Sequence, residues 1–251
     1  MADLYIPFTG PMVRALLAGT KFQTRRPVKP QPIVQANGAW RWEGRNGGFV
    51  GAMGTHVDDG FPQTAAIHAR YQPGDRLWVR EAWRVSKNYD ALPPRDLPPR
   101  KMTVLFEAGG SIANQADGHW RPSDYEPEPK HAGWVGRYRP GMFLPRWASR
   151  LTLTVTDVRV ERLQDISEED AIAEGVERLH HGWFPYGIST FMTMVVKGRE
   201  VPAQCCRTAH DSYLMLWNAI NGPGAWEDNP WVAAYTFTVA HQNIDEGKPC
   251  S

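Results

Sequence analysis

Pro73-Gly74-Asp75-Arg76-Leu77-Trp78-Val79-Arg80-Glu81-Ala82-Trp83 is a turn signal that runs straight into a strand. Pro-Gly-Asp supplies a fixed φ, freedom for positive φ and a side chain that bonds its own backbone, the ingredients of a tight reversal. Alternate residues of a strand share a face. Leu77, Val79, Glu81 and Trp83 therefore point one way, and Arg76, Trp78, Arg80 and Arg84 the other. The first set is the more apolar and faces an interior, taking Glu81 with it. A carboxyl desolvated there acquires a raised pKa, as a proton donor near neutral pH needs. A buried ion pair with Arg25 or Arg26 would lower it instead, and the sequence leaves both outcomes open.

Upstream, Leu4 to Phe8 reads as a short edge strand, because Pro7 cannot donate to a ladder. Gly10 is the expected N-cap of a helix and Pro11 its first residue. Met12, Val13, Leu16 and Leu17 recur at helical spacing, and Gly19 stops the helix. Thr20 to Pro27 falls in the loop that follows. Within it, Gly19-Thr20-Lys21-Phe22-Gln23-Thr24-Arg25-Arg26 brings together an amine, a hydroxyl and two guanidinium groups. An amine acts as general base for a hydroxyl when burial lowers its pKa, and neighbouring Arg25 and Arg26 push in the same direction. Lys-x-x-Thr is also a frequent chance pattern, so an exposed polar loop is the plain alternative.

Downstream, residues 35–70, 88–140 and 178–206 are irregular and read as insertions, the second interrupted by a strand near 101–108. Arg150 to Leu163 is the longest strand signal. Its apolar phase switches between Val155 and Val158, which predicts a bulge or bend at Thr156-Asp157. Ser167-Glu168-Glu169-Asp170 opens a helix closed by Gly175, and Thr208 caps another running to about Ile220, with Tyr213, Leu214, Leu216, Trp217 and Ile220 as its apolar face. Val232 to Val239 is the last strand. The expected fold class is α+β: a small mixed β-barrel flanked by helices and decorated by long loops.

With 11 Trp, 21 Pro and 23 Gly, the composition suits a loop-rich β fold better than a helical bundle. The net charge of +1 gives no global pull on a polyanion, yet residues 1–50 carry seven basic side chains against Asp3 and Glu43. Such a local patch can hold phosphate. Three cysteines make no disulfide framework, and no long apolar run or signal-peptide pattern is present, so a cytoplasmic protein without a membrane partner is expected.

The order helix, Gly-Thr-Lys-x-x-Thr-Arg-Arg, insertion, Pro-Gly-Asp-x-Leu-Trp-Val-Arg-Glu-x-Trp resembles the ASCH domain family of the PUA-like superfamily. Residues 151–175 and 228–239 look like the longer version found in phage and prophage genomes. The resemblance implies one domain over residues 1–251, outside the three insertions. Small bacterial members hydrolyse the acyl amide of N4-acetylcytidine with a lysine, a threonine three residues later and a glutamate on the following strand. Lys21, Thr24 and Glu81 match that pattern. The resemblance thus implies attack by Thr24, proton acceptance by Lys21 and help from Glu81 at the leaving amine, with no cofactor.

Other members of the superfamily bind RNA or modified bases without catalysis. For a non-catalytic module of that kind, Arg25, Arg26, Trp78, Arg80 and Trp83 are the expected ligand-binding residues, with RNA ahead of DNA as partner. Tryptophans on strands are more often core than platform. A phage accessory protein that docks on a host protein through its Trp- and Pro-rich insertions is a third class. His180, His181, Cys205, Cys206 and His210 have ligand-type side chains, but their spacing fits no usual zinc pattern and no metal is expected.

Overall fold

The structure is a computed structural model describing residues 2–34, 40–43, 49–53, 69–114, 120–123, 133–179, 182–184, 193–196, 199–202 and 206–246. It is mixed α+β, with three α-helices and several sheets among the described residues, none of them closed into a barrel. The chain forms two compact units. The first comprises Met1–Gly19, Gly74–Thr154 and Thr238–Ser251, and the second Thr20–Pro73 and Val155–Phe237.

In the first unit, β1 (Asp3–Pro7) pairs in parallel with β6 (Arg76–Arg80), and β6 pairs antiparallel with the start of β11 (Thr152–Arg162). The turn before β6 uses Gly74 at φ +91°, and Asp75 Oδ1 accepts from the Ala2 amide at 2.7 Å, which ties the amino-terminal strand down. Helix α1 (Gly10–Leu17) buries Met12, Val13, Ala15 and Leu16. Thr9, rather than Gly10, is its N-cap, one residue earlier than the sequence indicates. Gly19, at φ +69°, ends it as expected.

The strand expected to follow the Pro73-Gly74-Asp75 turn is two strands. β6 stops at Arg80, and the chain passes through Glu81 and Ala82 into β7 (Trp83–Arg84) of a second sheet. Three backbone hydrogen bonds carry the chain across this step: Phe8 N donates to Arg80 O, Glu107 N to Ala82 O and Trp83 N to Arg139 O. The second sheet is antiparallel and adds β8 (Val104–Phe106), β9 (Ser111–Asn114) and β10 (Trp120–Ser123) in the order β10-β9-β8-β7. Part of the stretch read as loop after residue 108 is therefore sheet. Trp83, Val85, Leu97, Met102, Val104, Phe106, Ile112, Leu144 and Ala148 fill its core.

In the second unit, β2 (Gln23–Pro27) pairs antiparallel with β16 (Trp231–Ala240), which is bonded in turn to β11. The residues read as a loop, Thr20 to Pro27, are thus mostly strand. Their register with Val232–Thr236 overrides a local composition that has little strand character. Buried positions in β11 switch parity between Val155 and Val160, as the sequence indicates. Helix α2 (Glu168–Ala173) is capped by Ser167, whose hydroxyl accepts from the Asp170 amide, and it ends before Gly175 at φ +92°. Helix α3 (Ala209–Asn221) is capped by Thr208 in the same way. Its buried face is Ala209, Ser212, Tyr213, Leu216 and Trp217, while Leu214 is half-buried and Ile220 is exposed.

The insertion regions contain short pairings. β3 (Ile33–Val34), β4 (Trp40–Glu43) and β5 (Phe49–Met53) form an antiparallel sheet. β12 (Glu177–Leu179) pairs with β13 (Gly182–Phe184), and β14 (Thr193–Val196) with β15 (Arg199–Pro202). Among the described residues no helix is long and apolar enough to cross a membrane.

Candidate functional site

Lys21 precedes β2 and is wholly buried. Its neighbours are fixed by the pairing of β2 with β16 and by the end of α2, since Phe22 N donates to Ala173 O and Phe237 N to Phe22 O. The ε-amine donates to Glu174 Oε2 and to the Glu174 main-chain carbonyl, both at 2.7 Å. Burial pushes this amine below its ordinary value. The charge and hydrogen bond of Glu174 pull it back up, and Arg26 and Arg25 push it down again. The sequence indicates the arginine effect and makes the burial effect a condition, with an exposed loop as its alternative; Glu174 is the partner it does not indicate.

Arg25 is the hub of the same cluster. Its Nε donates to Glu161 at 2.9 Å, Nη2 to Asp170 at 2.7 Å and Nη1 to the Gln23 side chain at 2.6 Å, and Glu174 Oε1 lies 3.5 Å from Nη1. Tyr213 donates to Glu174 Oε1 at 3.3 Å, and Arg159 donates to Asp170 at 2.7 Å. Among the described residues Lys21, Arg25 and Arg159 thus meet Glu161, Asp170 and Glu174, with Asp157 3.8 Å from Arg159 at the exposed edge. Burial opposes the charge on Arg25, but Glu174, Glu161 and Asp170 outweigh it and raise its pKa.

Thr24 is buried and lies opposite Tyr235 in the ladder, so these two share a face of the sheet. Gln23 and Thr236 share the other face, where the Gln23 amide donates to the Thr236 hydroxyl at 3.3 Å. Among the described residues the Thr24 hydroxyl has no hydrogen bond, to Lys21 or to any other group. Tyr235 packs edge-on against Tyr71 with ring centroids 5.0 Å apart, and burial pushes its phenol up to about 12.

Glu81 belongs to the first unit. It is 1 % exposed, and its two oxygens accept from Nε and Nη2 of Arg150, both at 2.9 Å. The third arm of Arg150 donates to Gly109 O at 2.7 Å, and its guanidinium lies 4.1 Å from the centroid of Phe106. Burial pushes the Glu81 carboxyl above its ordinary value, against the opposing pull of Arg150. Glu81 is therefore buried, although β6 ends at Arg80 and Trp78, assigned to the outer face, is buried as well. An ion pair is present too, with Arg150 rather than Arg25 or Arg26 as its cation.

The other candidates separate by burial. Trp83 is fully buried in the core of the second sheet of its unit, with no face free for a base. Trp78 is buried against Tyr5, and the Arg80 guanidinium stacks over both rings, 3.7 Å from the Tyr5 centroid and 4.4 Å from that of Trp78. Arg80 also donates to Met142 O at 2.9 Å. Arg25 is enclosed by carboxylates, whereas Arg26, opposite Ala233, is half-buried. Of the residues weighed for zinc, His180, His181 and Cys205 lie outside the described residues, and Cys206 donates to Met215 Sδ at 3.4 Å.

Glu174 does carry one signal in the sequence. An acid at the carboxyl end of a helix opposes the helix dipole and needs a compensating cation. Arg150 gives no comparable signal. Comparison with family models, with curated proteins and with solved structures finds no match to this chain.

Proposed function

We propose that the protein is an amidohydrolase-like enzyme of PUA-like (ASCH) type that acts on an N-acylated cytidine or a similar modified nucleoside. The observation that carries this proposal is the Lys21 amine: fully buried, with a pKa lowered by that burial, and three residues before Thr24, whose hydroxyl has no hydrogen bond among the described residues. By resemblance, Thr24 Oγ attacks the acyl carbonyl carbon, its proton passes to the neutral Lys21 amine, and the C–N bond breaks as the leaving amine takes up a proton. Water then hydrolyses the threonine ester. The transfer to Lys21 requires that amine to leave Glu174, because Thr24 shares the Tyr235 face of β2 while Glu174 also meets Arg25 on the Gln23 face. The resemblance also implies Glu81 as the acid at the leaving nitrogen; within its own unit burial raises the Glu81 pKa, as such an acid needs.

Incubation with N4-acetylcytidine and related acyl nucleosides tests this directly. Turnover by the parent should fall by about 100-fold or more in Thr24→Ala and in Lys21→Met. No turnover by the parent, or full turnover by both variants, discards the proposal. A base-binding module is the second reading, supported by the stack of Arg80 on Tyr5, which is 37 % exposed. It requires salt-sensitive oligonucleotide binding that weakens in Arg80→Ala.

A further inference from the structure

Thr24 and Tyr235 stand opposite one another in the ladder of β2 and β16, so their side chains leave the same face of the sheet. Arg25, on the other face, meets Gln23 and Glu174. A carbonyl attacked by Thr24 is therefore presented on the Tyr235 face, away from the charge cluster. Both residues are 2 % exposed, and among the described residues neither hydroxyl gives its proton to a protein group. Phe22 and Arg26 flank Thr24 on this face. The first is 47 % exposed and the second half-buried, so solvent borders the hydroxyl pair on both sides.

Tyr235 is also held still. Its ring meets Tyr71 edge-on with centroids 5.0 Å apart, and main-chain hydrogen bonds from Tyr71 and Arg70 reach its phenol. Those bonds engage the oxygen as acceptor and leave the O–H as a donor. Burial pushes the phenol up to about 12, so it keeps its proton at neutral pH.

We propose that Tyr235 is a further catalytic residue of the hydrolase: its O–H donates to the acyl carbonyl oxygen while Thr24 Oγ attacks the carbonyl carbon. This rests on the proposed hydrolase function. A tyrosine hydroxyl stands one ring length above its strand, and a threonine hydroxyl close to it. A carbonyl approached by a nucleophile at about 3–3.5 Å and held by a donor at about 2.7–3.1 Å fills such a gap. In the step, the Oγ–C bond forms and the carbonyl π pair moves onto its oxygen. Tyr235 keeps its proton and strengthens its hydrogen bond as negative charge builds there. The C=O bond re-forms as the C–N bond breaks, and the amine leaves with that electron pair and takes up a proton.

Tyr235→Phe removes the hydroxyl and keeps the ring against Tyr71. For N4-acetylcytidine, kcat should fall about 100-fold or more, with KM within about threefold of the parent, in a chain that still melts cooperatively. The second measurement uses 13Cζ-tyrosine in the slow Thr24→Ala chain. The Tyr235 resonance, assigned by its absence when Tyr235→Phe is added, should move on titration with N4-acetylcytidine. It should stay still with N4-methylcytidine, which lacks the carbonyl. Full kcat in Tyr235→Phe overturns the inference and leaves the hydrolase function standing. A resonance that stays still with N4-acetylcytidine, or moves equally with both ligands, overturns it too. Absence of turnover by the parent refutes the hydrolase function, and the resonance alone then decides whether Tyr235 donates to an acyl carbonyl on this face.

Discussion

Glu81 and Arg150 face one another through two parallel hydrogen bonds of 2.9 Å, carboxylate to guanidinium, inside the first unit. Removing only the cation strands a buried carboxylate. Arg150→Met should therefore cost about 3–5 kcal/mol at neutral pH. The pH dependence has a definite sign. The Glu81 pKa is raised in the parent, and losing Arg150 raises it further. A raised acid contributes stability at low pH that is lost as pH rises through the folded pKa. The deficit of the variant should thus be small near pH 4 and grow toward about pH 8, read by urea unfolding at both. A cost that does not vary with pH would contradict this.

Gly141 supports Glu81 from the backbone side. A Cβ at this position would lie 2.8 Å from the Glu81 carbonyl carbon and 3.0 Å from its Cα. Those are main-chain atoms that cannot turn aside. Gly141→Ala should destabilise by about 1–3 kcal/mol, as over-packing does. If Glu81 assists the leaving group, turnover should fall by more than the loss of folded protein explains. Thermal unfolding and kcat on the same preparation separate the two effects. An unchanged melting temperature would show that the chain yields here.

The amino end of α3 is capped twice. Thr208 Oγ1 accepts from the Asp211 amide at 3.0 Å, and Glu168, at the start of α2, accepts from the Ala209 and His210 amides at 2.8 and 3.2 Å. Each takes different amide groups, so Thr208→Ala and Glu168→Ala should each cost about 1 kcal/mol and add. Amide exchange at Ala209 and His210 should accelerate in Glu168→Ala and stay slow in Thr208→Ala. Equal acceleration in both would mean that the helix frays as a unit.

Features set by neighbours in the chain could be read in advance. The caps at Ser167 and Thr208, the stops at Gly19 and Gly175, the turn at Gly74 and the parity switch in β11 are all local chemistry. Partners far apart in sequence could not be read. Lys21 is separated from Glu174 by 153 positions, and Glu81 from Arg150 by 69. Gln23-Thr24-Arg25-Arg26-Pro27 gives no strand signal, because its strand state comes from pairing with Val232–Thr236. The β6 strand ends early for the same reason: Ala82 finds its hydrogen-bond partner at Glu107, in the turn that follows β8 of the second sheet.

Asp170 tests the balance of the charge cluster under acid. Burial alone would raise its carboxyl, but the hydrogen bond from Arg159, the charge of Arg25 and the hydrogen bond from Gln23 outweigh burial and hold it below its ordinary value of 3.8. A depressed acid contributes stability that is complete above the unfolded pKa and disappears as pH falls through the folded one. Asp170→Asn keeps the shape and removes the charge, and its amide cannot accept from Arg25 and Arg159 as a carboxylate does. It should cost about 1–3 kcal/mol at neutral pH. Below about pH 4 that cost should shrink as the parent's own Asp170 takes up its proton. Arg159, at 45 % exposure, is the weaker partner, so Arg159→Ala should cost no more than about 1 kcal/mol. Denaturant titrations of the parent and both variants from about pH 3 to pH 7 read all three outcomes. A deficit of Asp170→Asn that persists undiminished at the acid end would mean that shape, rather than charge, is what Asp170 contributes.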